Sequence, residues 1–246
     1  MTKKKVCWIS AGISSFMAGY IAGDVDEWIY IDINDQHPDS MRFIKDCEAA
    51  IGQKIQILQS KEYRSVEECV RAFGGFRASN GFAPCTNWMK KRVRKEWELE
   101  HKEYDLTYVW GFDSEETARA ERTIEANPQA EHEFPLIDRG LSKEEVHGLF
   151  ERIFSFRRPE MYDMGYPNNN CIGCTKGGMG YWNRIRKDFP EVFEKRAKLE
   201  RQVGYAILKD SNGKPLYLDE LDPSRGNMNT EIFPECGIMC YLSLEK

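Results

Sequence analysis

No apolar run in this 246-residue chain approaches the roughly 20 residues that a helix needs to cross a bilayer, so no membrane-spanning helix is expected. An excess of positive charge is missing too: the net charge of −5 argues against a protein whose whole surface grips nucleic acid. Internal repeats and low-complexity linkers are absent. The amino-terminal Lys3-Lys4-Lys5 cluster precedes an apolar stretch, but Ser10, Gly12, Ser14 and Ser15 break it. That pattern reads as a first strand and turn, not as a signal peptide. The expectation is a cytoplasmic protein in a reducing compartment, where clustered cysteines bind metal or do catalysis more often than they pair.

What remains is an ordinary globular composition, 41% hydrophobic and 30% charged, long enough to bury a full core. Short β-rich runs at 6–9, 28–33, 55–58 and 106–110 alternate with helical patterns near 16–22, 40–51, 65–73 and 86–102. Ser65-x-x-Glu68 and Ser142-x-x-Glu145 are capping-box signals, the second opening a helix to about Ile153. Strand, helix, strand in series predicts a Rossmann-like parallel sheet with helices on both faces. Such sheets bind ligands beyond the carboxyl ends of their strands, which places the loops 10–15, 32–39 and 111–116 at the mouth. A long loop over 157–180 carries prolines, glycines and three consecutive asparagines, and a loop of that length tends to be functional or disordered. Its aromatics, Tyr162 and Tyr166, with Tyr181 and Trp182 just beyond, argue for order. After it, 184–201 reads as helical with a break at Pro190, and Asn212-Gly213 as a hairpin turn between 205–208 and 216–218. The expected division is an α/β core over 1–140 and a cysteine-bearing extension over 141–246.

The chemistry is carried by cysteines. Cys171-Ile-Gly-Cys174 sits in a Gly/Asn-rich loop, Cys85 precedes it by 86 positions, and Glu235-Cys236-Gly237-Ile238-Met239-Cys240 lies almost at the C-terminus. A Cys-x-x-Cys turn brings two thiolates close enough to share a metal ion or cluster, whereas a cysteine on a chain end is free to act as a nucleophile. Cys7, Cys47 and Cys69 fall on strand and helix patterns and are expected in the core. The first loop, Ile9-Ser10-Ala11-Gly12-Ile13-Ser14-Ser15, has the small residues that let backbone N–H groups and hydroxyls approach an anion at a helix N-terminus. It is neither a Walker A loop nor Gly-x-Gly-x-x-Gly, and an ordinary tight turn is the competing reading. Basic residues cluster at Lys90, Lys91, Arg92, Arg94 and Lys95, and again from Arg184 to Arg201; each run either grips phosphates or is a solvated helix face.

In series these pieces resemble the PAPS/APS reductase family of the adenine-nucleotide α-hydrolase (PP-loop) superfamily. The first loop resembles the superfamily's Ser-Gly-Gly-x-Asp-Ser, with Ala11 in place of a glycine and Ser14 in place of the aspartate. Ile31-Asp32 with His37 and Arg42-Phe43 resembles the segment that cups adenosine, and Gly111-Phe112-Asp113-Ser114-Glu115-Glu116 the Gly-x-Arg-x-x-Glu loop, with Asp113 where arginine is usual. Pro135-Leu136, Tyr162, Gly165-Tyr166 and the Cys-x-x-Cys follow in the family's order over roughly residues 5–175. The resemblance implies adenine-nucleotide binding by Ser10, Ala11, Gly12, Ser14, Ser15, Asp32, Gly111, Glu116 and Arg119, with Lys91 or Arg92 as anion ligands near the cysteines. For Arg119 the competing reading is a surface helix paired with neighbouring glutamates. It further implies a four-iron four-sulfur cluster on Cys85, Cys171 and Cys174 with Cys240 as fourth ligand, or zinc on the same thiolates.

The Glu-Cys-Gly tail resembles the family's nucleophile segment. Cys236 would attack the sulfur of a bound sulfonucleotide, and a thioredoxin-like thiol donor would release sulfite. Met239 stands where the family has histidine, and Cys236 with Cys240 as two metal ligands is the competing reading. Two other functions stay open: ATP-activated sulfur transfer to a nucleic acid held through 90–95, and a non-catalytic nucleotide-binding protein with structural zinc. A weakly held homo-oligomer is expected.

Overall fold

A computed structural model describes residues 2–77 and 83–231. Five strands, β1 (Thr2–Ile9), β2 (Glu27–Ile31), β3 (Ile55–Leu58), β4 (Tyr104–Val109) and β5 (Glu131–Glu133), form one sheet in the order β3-β2-β1-β4-β5. Every pairing in it is parallel. The chain builds outward from β1 to β3, then returns to the other side of β1 for β4 and β5. That reversal creates a switch point between the carboxyl ends of β1 and β4.

The sheet is buried on both faces because its strands alternate two apolar sets. Cys7, Ile9, Trp28, Tyr30 and Val109 point to one cluster, which is covered by α1 (Ile13–Ala22), α2 (Asp39–Ile51), α7 (Pro135–Asp138) and α8 (Lys143–Ile153). Val6, Trp8, Ile29, Ile31 and Tyr108 point to the other. That side is covered by α3 (Val66–Phe73), the helical stretch from α4 (Pro84–Thr86) through α5 (Arg92–Glu100), and α6 (Thr117–Ala126). Cys7, Cys47 and Cys69 are fully buried in these clusters, as their positions in the pattern predict.

The expected helix over 86–102 is not one regular helix. Asn87–Lys91 forms a π-turn between α4 and α5, one of the wide turns that recur at functional sites. The short strand β5 carries no apolar alternation, only Glu131, His132 and Glu133, and for that reason is absent from the sequence reading. Both caps are present: Ser65 accepts a bond from the Glu68 N–H, and Ser142 and Glu145 close a complete capping box.

The long loop 157–180 holds a single helical turn, α9 (Glu160–Asp163). Beyond it, α10 (Met179–Asp188) and α11 (Pro190–Val203) break at Pro190 as expected. The Asn212-Gly213 hairpin is shorter than the sequence suggests, with strands β6 (Leu208–Lys209) and β7 (Pro215–Leu216). These elements share a third core with α3, in which Tyr181, Trp182, Ile185 and Leu199 pack against Val66 and Val70.

A buried ion pair ties this region to the mouth of the sheet. The Arg196 guanidinium in α11, 5% exposed, donates to Asp35 Oδ1 at 3.0 Å. Asp35 Oδ2 accepts from the Val66 N–H at 2.7 Å, and the Asp35 carbonyl from the Ile172 N–H at 2.8 Å. Truncating one partner of such a pair strands the other charge. Asp35→Ala is expected to cost about 3–5 kcal/mol in urea unfolding, whereas Lys3→Ala, which removes an exposed pair with Glu131, stays within about 0.5 kcal/mol. Glu200 supplies a pH test. It is 0% exposed and accepts the N–H groups of Ile207 and Leu218, yet burial pushes its carboxyl up to about 7. The folded state therefore holds this proton more tightly than the unfolded chain. Stability should fall by about 3 kcal/mol as pH rises from about 4.5 to about 7 and level off above, and Glu200→Gln should flatten that slope.

Candidate functional site

The switch point is built from the turn after β1. Ser15, in the first turn of α1, gathers it: its Oγ donates to the Gly12 carbonyl at 3.0 Å and accepts the Ser10 N–H at 3.0 Å, with Ser10 Oγ 3.1 Å away. Ala11 is held at φ +56°, a left-handed conformation that alanine adopts only at a cost of about 1–2 kcal/mol. The backbone thus keeps a glycine-type shape at the position where the resembled loop has glycine. Strain of this kind concentrates at binding sites. Gly12 is the N-cap of α1, which has no side-chain cap and no acidic residue in its first turn, so no carboxylate of that turn occupies its amino-terminal N–H groups.

Other loops close on this turn. Gly111, just past β4, approaches so tightly that a Cβ there would lie 2.4 Å from Ser15 Cα. From the extension, the Tyr162 hydroxyl comes within 3.2 Å of where a Gly12 Cβ would stand. Asn169, 7% exposed, donates through Nδ2 to the Ala11 carbonyl at 2.7 Å and to Ser40 Oγ at 3.0 Å. The Ala11 carbonyl fixes which end of that amide is the donor.

Asp32, Glu116, Arg119 and Arg92 stand in local pairs. Asp32 accepts from Gln59 Nε2 at 2.6 Å. Glu116 bonds the Asp113 N–H and lies 2.5 Å from Arg119, whose guanidinium stacks 4.1 Å over Phe112. Arg92 pairs with Glu62 and Glu96 and stacks 4.5 Å over Trp88. Arg94 pairs with Glu98, so much of the basic run over 90–95 is neutralised by glutamates on or beside the same helix. Lys91 is 6% exposed, turned inward by the π-turn.

The cysteine site lies next door. Cys85, Cys171 and Cys174 line one cavity of ≈ 20 Å³ together with Lys90, Asn170, Thr175, Ile33 and Val66. Residues 86 positions apart meet there because α4 and the Cys-x-x-Cys turn both pack on α3. Tyr181 pins the turn: its hydroxyl accepts the Cys174 N–H at 2.8 Å and donates to the Cys171 carbonyl at 3.1 Å. Burial drives the Tyr181 phenol pKa far up, which keeps the donating proton in place. Burial likewise pushes Cys7 and Cys69 up to about 12, so these core thiols stay protonated and inert. Asn170 Nδ2 is buried and has no hydrogen-bond partner among the described residues.

Three thiols on one wall are the donor chemistry of a soft metal, and the volume admits a single atom-sized occupant. Among the described residues, however, no group of three or more His, Cys, Asp or Glu side chains stands close enough to hold a metal ion. Cys236 and Cys240, the expected nucleophile and fourth ligand, lie outside the described residues. Asn169, Asn170 and Asp35 join the site without having been singled out by sequence, the only trace of the first two being the asparagine run itself; Lys90, read there as part of a basic run, lines the cavity instead.

No family model and no curated protein sequence matches this chain. The strained turn offers a direct check. Ala11→Gly should leave thermal stability unchanged or raise it by up to about 1 kcal/mol, whereas Ala11→Val, β-branched and fully buried at φ +56°, should lower it by more than about 2 kcal/mol.

Proposed function

We propose that this chain is a PAPS-reductase-like enzyme. It binds an adenine nucleotide at the β1–β4 switch point and performs cysteine-dependent sulfur chemistry beside it, most directly the reduction of a sulfonucleotide. The carrying observation is the continuity of residues 169–171. Asn169 holds the Ala11 carbonyl of the anion-binding turn, and Asn170 and Cys171, the next two residues, stand on the wall of the cysteine cavity. A sulfuryl group carried on a bound nucleotide's phosphate needs a phosphate site and a thiol site as close neighbours, and the chain continuity from Asn169 to Cys171 supports that reading.

In this reading the N-terminus of α1, with the Ser10 and Ser14 hydroxyls, receives the phosphate. The Cys236 thiolate attacks the sulfuryl sulfur; an S–S bond forms, the S–O bond to the phosphate breaks, and the nucleotide leaves with the electron pair. A dithiol donor of the thioredoxin type then attacks Cys236 Sγ. Sulfite departs, and the donor's second thiol closes a disulfide, so the donor supplies the two electrons. Lys90, on the cavity wall, offsets anionic charge as thiolates form. A metal centre on Cys85, Cys171 and Cys174, zinc or iron–sulfur, would supply soft Lewis-acid or electron-transfer chemistry at that wall; it would require those thiols to draw closer together and further ligation from outside the described residues, and an iron–sulfur cluster would also need the cavity to widen.

The ≈ 20 Å³ of the cavity favours one alternative, a single structural zinc in a nucleotide-binding protein without turnover. The two readings separate on Cys236→Ser. A reductase should lose turnover by about a thousandfold or more while nucleotide affinity stays within about threefold. Full turnover in that variant, assayed as sulfite release from PAPS or APS, would sink the proposed chemistry. Iron, sulfide and zinc analysis of anaerobically purified protein decides the metal, and Cys171→Ser should abolish whichever is present.

A further inference from the structure

The turn after β1 keeps a shape that its own residue disfavours. Ala11 is fully buried at φ +56°. Alanine prefers the right-handed region over this one by a factor of about five to thirty. The bonds made by Ser15 gather the residues on either side, taking the Ser10 N–H and the Gly12 carbonyl, and touch neither peptide group of Ala11. The Ala11 carbonyl is held from 158 residues away, by Asn169 Nδ2 at 2.7 Å. The same Nδ2 donates to Ser40 Oγ at 3.0 Å in the first turn of α2, and both Asn169 and Ser40 are buried.

This hold sets more than one atom. The Ala11 carbonyl and the Gly12 N–H are opposite ends of one planar trans peptide and point in opposite directions. Anchoring the carbonyl on Asn169 therefore fixes the rotation of the whole peptide and turns the Gly12 N–H away from Asn169. A left-handed residue inside a turn is the arrangement that lets successive N–H groups converge on one anion.

The other end of the amide argues against a packing role. Asn169 Oδ1 is buried and has no hydrogen-bond partner among the described residues. An unmet buried acceptor costs stability, so an apolar side chain of the same size would serve packing better. What asparagine adds is its donor end, and that end is spent on the strained residue.

We infer that Asn169 is a positioning residue for nucleotide binding: its amide holds Ala11 in the left-handed conformation and so keeps the turn's N–H groups in the shape that receives an anion. This rests on the reading of that turn as the nucleotide's phosphate site. Without the amide, the left-handed turn loses population by the factor that alanine's preference sets, and apparent affinity falls with that population. Glycine enters the left-handed region about as readily as the right-handed one, so a glycine at position 11 makes the hold unnecessary.

The test is a double-mutant cycle in the full-length chain, read by calorimetric titration with adenosine 5′-phosphosulfate and with ATP. Asn169→Ala should weaken binding about fivefold or more when residue 11 is alanine. In the Ala11→Gly chain, whatever its own affinity, the same change should cost less than about twofold. An equal loss in both backgrounds would overturn the inference, since Asn169 would then act by packing or direct contact, and so would no loss in either. Where Asn169→Ala melts early, Asn169→Ser, too short to span to the Ala11 carbonyl, takes its place in the cycle. Failure of the functional reading shows separately, as a wild-type chain that binds neither nucleotide. The crystal structure of nucleotide-free Asn169→Ala then decides: Ala11 leaving the left-handed region supports the inference, and Ala11 staying there overturns it.

Discussion

The Asp35–Arg196 ion pair is the contact on which the arrangement of this molecule depends. Asp35 stands in the loop that leaves β2, and its carboxylate and carbonyl reach three partners: Arg196 of α11, the first N–H of α3, and Ile172 inside the Cys-x-x-Cys turn. A charge pair buried this deeply is repaid for desolvation only through satisfied geometry, and here the geometry is shared by several elements. The consequence is positional. The cysteine turn is registered against the carboxyl end of the sheet, because the same side chain that receives α11 also orders the backbone next to Cys171.

From that registration follows the closeness of two chemically different places. The turn after β1 is an amide-rich, strained, uncapped helix start, suited to an anion. The neighbouring cavity is walled by sulfur, with a lysine and two polar side chains. Asparagines do the joining: Asn168 receives Lys143 of α8, Asn169 holds Ala11 and Ser40, and Asn170 faces the thiols. Asn and Gly are usual in loops because they tolerate irregular backbone. In this loop Asn169 does additional work, its amide satisfying the backbone carbonyl of Ala11.

Much of the architecture was legible in the residues. Short β-rich runs announced β1, β2, β3 and β4, and helical patterns with Ser-x-x-Glu caps announced α3 and α8. These signals are local, since they come from burial on one face and from a side chain satisfying its own helix end. β5 was invisible because an edge strand of Glu131, His132 and Glu133 has no apolar face to read. The π-turn at Asn87–Lys91 was equally hidden: it buries Asn87, Met89 and Lys91, a spacing that composition does not announce. Arg92 and Arg94 read as a cationic run, yet their charge is met by Glu62, Glu96 and Glu98 at positions that only the folded helix brings near.

By itself, then, the sequence determined the parallel α/β sheet, the loops at its mouth and the residue types able to do anion and sulfur chemistry, because short apolar runs, capping and small-residue turns act over a few residues. Only the tertiary structure decided that Cys85 meets Cys171 and Cys174, that Asn169 reaches Ala11, and that Glu231 caps a helix begun 52 residues earlier at Met179. Those contacts join distant parts of the chain. They depend on a buried ion pair and on glycine-sized clearances, and neither leaves a periodic trace in the order of the residues.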